Sequence, residues 1–167
     1  MKMIILPLQG LECDGMRIAF GESQAEIGEK LGRPQIWGTS LYYFQNILRM
    51  DFNENAGLEY IEFLSPDSRL RAELYGIDPF SAPADSVAAL LREKNGGEMT
   101  DIEDGYGLTF NNISVGVYRD TTPQEAEETV REAAAEGVPL SQEEYDAELA
   151  KANRWDTVGF GVAGYFG

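Results

Sequence analysis

Carboxylates are the reactive side chains that this chain carries in greatest number, with 29 Asp and Glu against 13 Lys and Arg. A pair of carboxylates in a closed cleft can hydrolyse a glycosidic bond, one acting as acid and the other as base or nucleophile. The acids are spread so widely along the chain that spacing sets no single pair apart. A carboxylate-dependent hydrolase is therefore one open interpretation of the sequence, with no named pair of residues.

The other common catalytic side chains are scarce, since the chain has no histidine and a single cysteine, Cys13. The absence of histidine excludes Ser-His-Asp and Cys-His catalysis and the common zinc sites. Cys13 has no basic neighbour nearer than Arg17 to stabilise its thiolate, which argues against a catalytic thiol. We expect a protein without enzymatic activity, catalytic residues or cofactor.

One acidic segment resembles the oxygen-ligand spacing of a calcium loop. Asp51, Asn53 and Asn55 alternate along the chain, and Glu62 follows Asp51 by eleven residues. However, Ala56 stands where such a loop needs its turn glycine, and the flanking residues alternate as strands do. A hairpin turn is favoured and no metal site is expected. An acidic calcium-binding or scaffold protein remains a second open interpretation.

Several aromatic residues and one arginine lie on or beside the predicted strands of the first half. Tyr, Trp and Arg are the residue types that contribute most often to protein–protein binding energy. In a register with two-residue turns, Tyr42, Phe44 and Arg49 point away from the apolar face of these strands. The alternative is that a helix or a second sheet covers them as core residues. The first predicted partner-binding surface comprises Trp37, Tyr42, Phe44, Arg49 and Tyr60.

A helix and a set of strands must position these residues. The capping-box sequence Ser23-Gln24-Ala25-Glu26 predicts the start of a helix, which Gly32 and Pro34 end. The hydrophobic period then changes to two, which predicts a three-stranded antiparallel meander. The strands predicted in this half cover residues 3–8, 15–20, 39–44, 47–52 and 58–64.

The same order recurs in the second half. Val87, Leu90 and Leu91 fall at helical spacing, and Gly96-Gly97 end this second helix. The predicted strands around it cover residues 69–75, 106–110, 113–118 and 157–166.

A short sequence match between the halves indicates a duplication, because Phe44-Gln45-Asn46-Ile47 resembles Phe110-Asn111-Asn112-Ile113. With two-residue turns in both hairpins, however, Phe44 points away from the apolar face of its meander, whereas Phe110 lies on the apolar face of the other. Since one residue of slippage exchanges the two faces of a strand, either one turn differs by a residue or the alignment slips.

A helical insertion interrupts the second half between residues 121 and 153. The segments beginning at Thr122 and Ser141 both have capping-box spacing, and Gly137 and Pro139 break the chain between them. This insertion holds nine acidic and two basic residues, a net −7 within a chain of net charge −16. We predict an acidic helical hairpin. The second predicted partner-binding surface is formed by its residues Glu128, Glu132, Glu144 and Glu148.

The sequence therefore predicts a single α+β domain over residues 1–167. It consists of two tandem units, each a helix followed by an antiparallel meander, which together form a curved sheet. The first unit covers about residues 15–64 and the second about 69–167, with the helical insertion at 121–153.

The segment GESQAEIGEKLGRP at residues 21–34, followed by a meander ending GLEYIEF at 57–63, resembles a known repeat. It is similar to the helix-plus-antiparallel-sheet repeat of the β-lactamase-inhibitor-protein-like fold. The resemblance covers most of residues 15–64 and, more weakly, 80–119 and 154–166. It implies a curved sheet with helices on one side, and protein binding through the sheet face or its loops.

Charge and cysteine content narrow the expected partner and compartment. A net charge of −16 repels nucleic-acid phosphates and anionic membranes and suits a basic protein. A lone cysteine, and an N-terminal apolar run too short for a signal peptide, favour the cytoplasm. By analogy with acidic bacterial immunity proteins, we expect an inhibitor or immunity-type protein that neutralises a basic toxin or enzyme.

Overall fold

A computed structural model describes all 167 residues, with four helices and twelve strands. The first eight strands are β1 (Lys2–Leu6), β2 (Gly10–Cys13), β3 (Met16–Ala19), β4 (Gln35–Trp37), β5 (Ser40–Tyr43), β6 (Leu48–Phe52), β7 (Leu58–Leu64) and β8 (Arg71–Leu74). The last four are β9 (Thr100–Ile102), β10 (Gly107–Phe110), β11 (Val115–Tyr118) and β12 (Thr157–Gly161). The helices are α1 (Gln24–Leu31), α2 (Ala84–Asn95), α3 (Pro123–Ala135) and α4 (Gln142–Ala152).

The strands form two sheets, which confirms the predicted α+β class. The large sheet is antiparallel and has the order β4-β5-β6-β7-β12-β11-β10-β9. The small sheet has the order β3-β2-β1-β8, and β8 pairs in parallel with β1. None of the four helices has the length and apolar composition needed to cross a membrane.

The order of the large sheet reflects the two tandem units. One unit runs from β3 through α1 to the meander β4–β7, and the other from β8 through α2 to the meander β9–β12. The last strands of the two units, β7 and β12, pair at the centre of the sheet. The units therefore meet tail to tail, and the large sheet has the same sequence of elements from either edge.

Each meander has four strands, whereas the sequence predicts three. The additional strands β4 and β9 come first in their meanders and are only three residues long. Three residues are too few to show a period of two, which explains why neither was predicted. The strand β2 was missed for a similar reason, since its four residues include Gly10 and no alternation.

The connections within the β5–β6 and β10–β11 hairpins are four residues long, not two. Tyr43 pairs with Leu48 in the first hairpin, and Phe110 pairs with Val115 in the second. Tyr43 is thus the equivalent of Phe110, and the sequence match is displaced by one residue. Of the two explanations for the flipped apolar face, the slipped alignment is correct.

The helix ends follow the predicted local chemistry. The Ser23 hydroxyl accepts a hydrogen bond from the Glu26 amide, and the Glu26 carboxylate accepts one from the Ser23 amide. Gly32 follows α1, and Gly96 ends α2 in the left-handed conformation with φ 63°. These caps satisfy backbone groups that a helix end would otherwise leave without partners.

A single hydrophobic core fills the space between the large sheet and a layer made of the small sheet, α1 and α2. It includes Met3 and Ile5 of β1, Ile27 of α1 and Val87 of α2, packed against the large sheet. The face of the large sheet that contacts this core is its inner face. The opposite face, here called the outer face, carries the residues of interest.

The predicted helical hairpin is present and replaces a turn. It connects β11 to β12 at the place where the first unit has the turn Asn53–Gly57 between β6 and β7. Its base is fixed by Arg119, which donates to the Ala152 carbonyl at 2.8 Å and lies 4.6 Å from the Trp155 ring. Trp155 in turn donates to the Ala84 carbonyl at 3.0 Å.

Candidate functional site

The outer face is built from alternate residues of the large sheet, and strand pairing aligns them in rows. One row runs from Tyr42 through Arg49 and Glu62 to Gly159 and Gly116. A neighbouring row runs from Trp37 through Ser40, Asp51 and Tyr60 to Gly161. Long polar and aromatic side chains therefore occupy β4–β7, and glycines occupy the same rows on β11 and β12.

Arg49 is the centre of a polar network on this face. Its guanidinium donates to both carboxylate oxygens of Asp51, at 3.2 and 2.7 Å, and lies 3.8 Å from the Glu62 carboxylate. Ser40 also donates to Asp51, and the Tyr60 hydroxyl donates to Glu62 at 2.8 Å. The hydrogen bond to Asp51 raises the pKa of Arg49 above its ordinary value. The network thus holds a permanent cation between two carboxylates on an open face.

An exposed tryptophan borders this network. The Trp37 side chain is 71% exposed, and Tyr42 beside it is half-buried. Together with Asn46 they line a shallow depression of about 180 Å³. A large aromatic ring held in water next to rigid polar groups is typical of an anchor residue for a protein partner.

We call the outer face of β4–β7, apart from Tyr60, the open half, because neither helices nor the small sheet cover it. Its exposed and half-exposed residues include Trp37, Tyr42, Arg49, Asp51 and Glu62.

The outer face of β10–β12 together with Tyr60 of β7, here called the covered half, has an aromatic layer over a floor of glycines. After β12 the chain turns back across the sheet, and Tyr165 stacks on Tyr60 with ring centroids 4.4 Å apart. Phe166 packs edge-on against both rings, at 6.0 and 5.3 Å. Burial raises the pKa of Tyr60, Tyr118 and Tyr165 above the ordinary value of a phenol.

The structure brings most of the first predicted surface together. Tyr42 and Arg49 lie on the outer face as predicted, and Trp37 shares that face, without a helix or second sheet over them. Tyr60 shares that face but is only 5% exposed, because Tyr165 covers it. Its place is to orient Glu62 rather than to contact a partner directly.

The predicted orientation of Phe44 is wrong. Phe44 is the first residue of the four-residue β5–β6 turn, where its φ is 55°, and not the last residue of a strand. Its ring packs partly against the core and lines a depression with Met1, Ile47 and Leu70. It therefore does not belong to the open half.

The second predicted surface is exposed and belongs to the other unit. Glu128 and Glu132 on α3 are exposed and have no hydrogen-bond or ion-pair partner through their side chains. Glu144 instead caps α4 by accepting from the Ser141 amide at 3.2 Å, and Glu148 lies 3.4 Å from Lys151. The hairpin thus contributes unpaired negative charge to the surface, mainly from α3.

The segment compared with a calcium loop is a hairpin turn. The Asn53 side-chain oxygen accepts from the amides of Asn55 and Gly57, both at 3.0 Å. Asp51 and Glu62 project from neighbouring strands toward Arg49. No group of three or more Asp, Glu or Cys side chains comes close enough together to hold a metal ion.

Sequence reasoning missed several parts of the site. Asp51 and Glu62 received attention only as calcium ligands, although spacing by two places Arg49 with Asp51 and Tyr60 with Glu62 on one strand face. Ile36 was missed with β4 itself. No local pattern indicates that Tyr165 and Phe166 turn back over the sheet.

Comparisons with known proteins add no further information on the site. No protein-family model matches the chain, and no curated protein or solved structure shows significant similarity to it.

Proposed function

We propose that this protein is a non-enzymatic, cytoplasmic binding module, an inhibitor or immunity-type protein that neutralises a basic toxin or enzyme. The observation that carries the proposal is the open half, where exposed Trp37 and Tyr42 stand beside the Arg49–Asp51–Glu62 network. The partner would bury the aromatic rings and extend the network with its own donors.

The rigidity of the network favours binding. Ordering a long charged side chain at an interface costs about 0.5–1.5 kcal/mol. Arg49 and its two carboxylates are already held by one another and by Ser40 and Tyr60 before any partner arrives. Less entropy is therefore lost on association than with free side chains.

Trp37 supplies the apolar component of the proposed interface. An exposed indole leaves a large apolar area in water, and burying it releases roughly 25 cal/mol per Å². Trp and Tyr also bind with few rotatable bonds, which limits the entropic cost. Trp37 and Tyr42 are thus expected to set the dissociation rate of the complex.

The negative charge of the hairpin suits the approach of a basic partner. Unpaired acids such as Glu128 and Glu132 raise the local concentration of a cationic protein and speed encounter at low salt. We assign the hairpin to steering and the open half to binding itself. The two contributions are separable, because salt screens the first much more strongly than the second.

A comparison of variants in lysate of the source organism tests the proposal. Immobilised wild type is compared with Trp37→Ala/Tyr42→Ala, and with Glu128→Gln/Glu132→Gln as a surface variant elsewhere. Retained proteins are identified by mass spectrometry at low and high salt. We expect one basic protein that the aromatic variant loses at both salt concentrations, and that the hairpin variant captures more slowly at low salt only.

The purified partner then provides the functional readout, because its toxic or enzymatic activity should fall when the wild-type protein is added. Failure to retain any basic protein at low salt would count against the proposal. Equal retention by the wild type and the aromatic variant would remove the open half as the binding surface.

A further inference from the structure

Four strands lie at the edges of the two sheets, and one of them lacks charge. β3 carries Arg17, β9 carries Asp101, and β8 carries Arg71 and Glu73, whereas β4 consists of Gln-Ile-Trp. Charged side chains on an edge strand are the common device that prevents another strand from pairing with it. β4 is therefore the one edge in this fold without that protection.

The backbone of β4 is also free on its outward side. Outside its pairing with β5, no residue from 33 to 39 takes part in a backbone hydrogen bond. The amides and carbonyls that point away from β5 are thus solvated and accessible to another extended chain.

The side chains of β4 present one apolar group to each face. Ile36, which is 66% exposed, pairs with Leu41 and lies on the inner side, while Trp37 lies on the outer side. A depression of about 370 Å³ beside Ile36 is lined also by Leu41, Phe52 and Glu54. The second depression, beside Trp37 and Tyr42, opens on the opposite face.

Two depressions on opposite faces of an edge match the geometry of an added strand. Successive side chains of a strand point to opposite faces, so neighbouring residues of an incoming segment would reach one depression each. In this mode of recognition, backbone hydrogen bonds provide affinity and the alternate side-chain pockets provide specificity.

We propose that β4 is the docking edge for an extended segment of the partner, which joins the large sheet as an additional strand. The segment alternates apolar residues, of which one packs against Ile36 on the inner side, with Lys or Arg residues that lie on the outer side against the Trp37 and Tyr42 rings. This inference rests on the proposed function, because it describes how the same basic partner engages the site. A second copy of this chain is disfavoured as the occupant, because each copy carries a net charge of −16.

Selection from a library of random twelve-residue peptides tests the edge directly. The library is displayed on phage and selected on the immobilised full-length protein, and enriched peptides are synthesised for calorimetry. Ile36→Lys places a charge on the edge, on the side of β4 away from Trp37. Val138→Lys is the matched control, because Val138 is equally exposed, at 72%, but lies in the α3–α4 connection.

We expect enriched peptides with alternating apolar and basic residues that bind Ile36→Lys at least about tenfold more weakly and Val138→Lys normally. Methylation of alternate peptide amides should abolish binding, because it removes the donors of an added strand. The proposal would be overturned if the enriched peptides bind Ile36→Lys as tightly as the wild type. It would also be overturned if selection on the wild type enriches no peptides beyond those obtained on Ile36→Lys. A wild-type dimer that Ile36→Lys dissociates in sedimentation would do so as well, because the occupant would then be a second copy.

The outcomes separate this inference from the proposed function. If the partner captured from lysate is lost by Trp37→Ala/Tyr42→Ala but kept by Ile36→Lys, the function stands and the edge does not. If peptides bind at β4 while no basic protein is retained, the edge stands and the proposed function fails.

Discussion

The two halves of the outer face use aromatic residues in opposite ways. In the covered half, Tyr165 and Phe166 pack over glycines and against each other and Tyr60, although Tyr165 stays 38% exposed. In the open half, Trp37 and Tyr42 lie beside charged residues, and Trp37 is left in water. The covered half packs its aromatic rings within the chain, whereas the open half leaves Trp37 exposed, and this difference is the reason that we propose the open half as the binding surface.

The change occurs at the boundary between the two units. Along one row of the sheet, Arg49 and Glu62 of the first unit give way to Gly159 and Gly116 of the second. A methyl group at Gly116 would lie 2.8 Å from the Tyr118 hydroxyl oxygen and 3.1 Å from the Phe166 ring. The glycines therefore make room for the aromatic layer, and the two tandem units have different outer surfaces.

The most direct way to break the covered half is to substitute its glycine floor. A Cβ atom at Gly159 would overlap the Tyr60 hydroxyl and lie 2.7 Å from Cζ of that ring, so Gly159→Ala displaces Tyr60 and the stacked Tyr165. Overpacking of this kind costs about 1–3 kcal/mol. Urea denaturation followed by circular dichroism should show a loss of that size in the free energy of unfolding.

Gly28 provides the control, because a Cβ there meets nothing within 4 Å and the residue lies inside α1. Gly28→Ala is expected to stabilise the protein by roughly 0.5–1 kcal/mol through helix propensity. Tyr60→Phe combined with Gly159→Ala should recover part of the loss, since the overlapping hydroxyl is gone. A Gly159→Ala protein as stable as wild type would mean that the aromatic layer does not pack as described.

Alkaline pH should lower the stability of the protein in part through Tyr60 of the covered half. Burial and the neighbouring Glu62 carboxylate raise the pKa of Tyr60 well above its unfolded value of about 10. Above pH 10 the unfolded chain loses this proton while the folded chain keeps it, so stability falls as pH rises, by up to about 1.4 kcal/mol per pH unit for this group. Below pH 10 its contribution is fully present.

Tyr60→Phe should therefore reduce the slope of unfolding free energy against pH between about pH 10 and 11.5. A residual slope should remain in that variant, because the pKa values of other tyrosines are raised as well: Tyr43, Tyr75, Tyr106, Tyr118 and Tyr165. Equal slopes for wild type and Tyr60→Phe would show that the phenol ionises as readily in the folded protein as in the unfolded chain.

Much of the fold was predictable because its signals are local. The capping box at Ser23, the helix end at Gly96 and the alternation through 58–64 each depend on neighbouring residues, and each lies where it was predicted. The strands β4 and β9 were not predictable, because partner strands define them and three residues carry no period. The slipped match at Tyr43 and Phe110 required the pairing itself.

The candidate site likewise has parts that local sequence signals predicted and parts that they did not. Alternation along β5 and β6 placed Tyr42 and Arg49 on the outer face, since both follow from a local period. The error at Phe44 came from the length of one turn. The cover over Tyr60 was unpredictable, because it is formed by Tyr165, more than a hundred residues away.

Substitution of Arg49, at the centre of the open half, should lower the free energy of unfolding moderately. Arg49→Gln leaves Asp51 and Glu62, whose side chains are 18% and 15% exposed, without a shared cation. Because the network is partly solvated, we expect a loss of about 1 kcal/mol in the free energy of unfolding at pH 7. The loss should shrink at high salt, which screens the repulsion between the two carboxylates.

Arg49→Lys is the informative companion, because it keeps the charge but cannot donate in the bidentate geometry that Arg49 makes to Asp51. It should recover part of the stability. If Arg49→Gln has the same effect at low and high salt, repulsion between the carboxylates is not the cause.

The smallest expected effect on stability is at Trp37. Because its side chain is 71% exposed, Trp37→Ser should change the free energy of unfolding by less than about 0.5 kcal/mol. The chain has two tryptophans, and the other, Trp155, is 2% exposed. Trp37→Ser should therefore leave only the buried emitter, with fluorescence shifted to shorter wavelength and protected from iodide. A loss above about 1 kcal/mol would mean that Trp37 packs against its own chain. A side chain that contributes so little to its own fold, on an uncharged edge beside a rigid ion network, is free to contribute its burial energy to a complex.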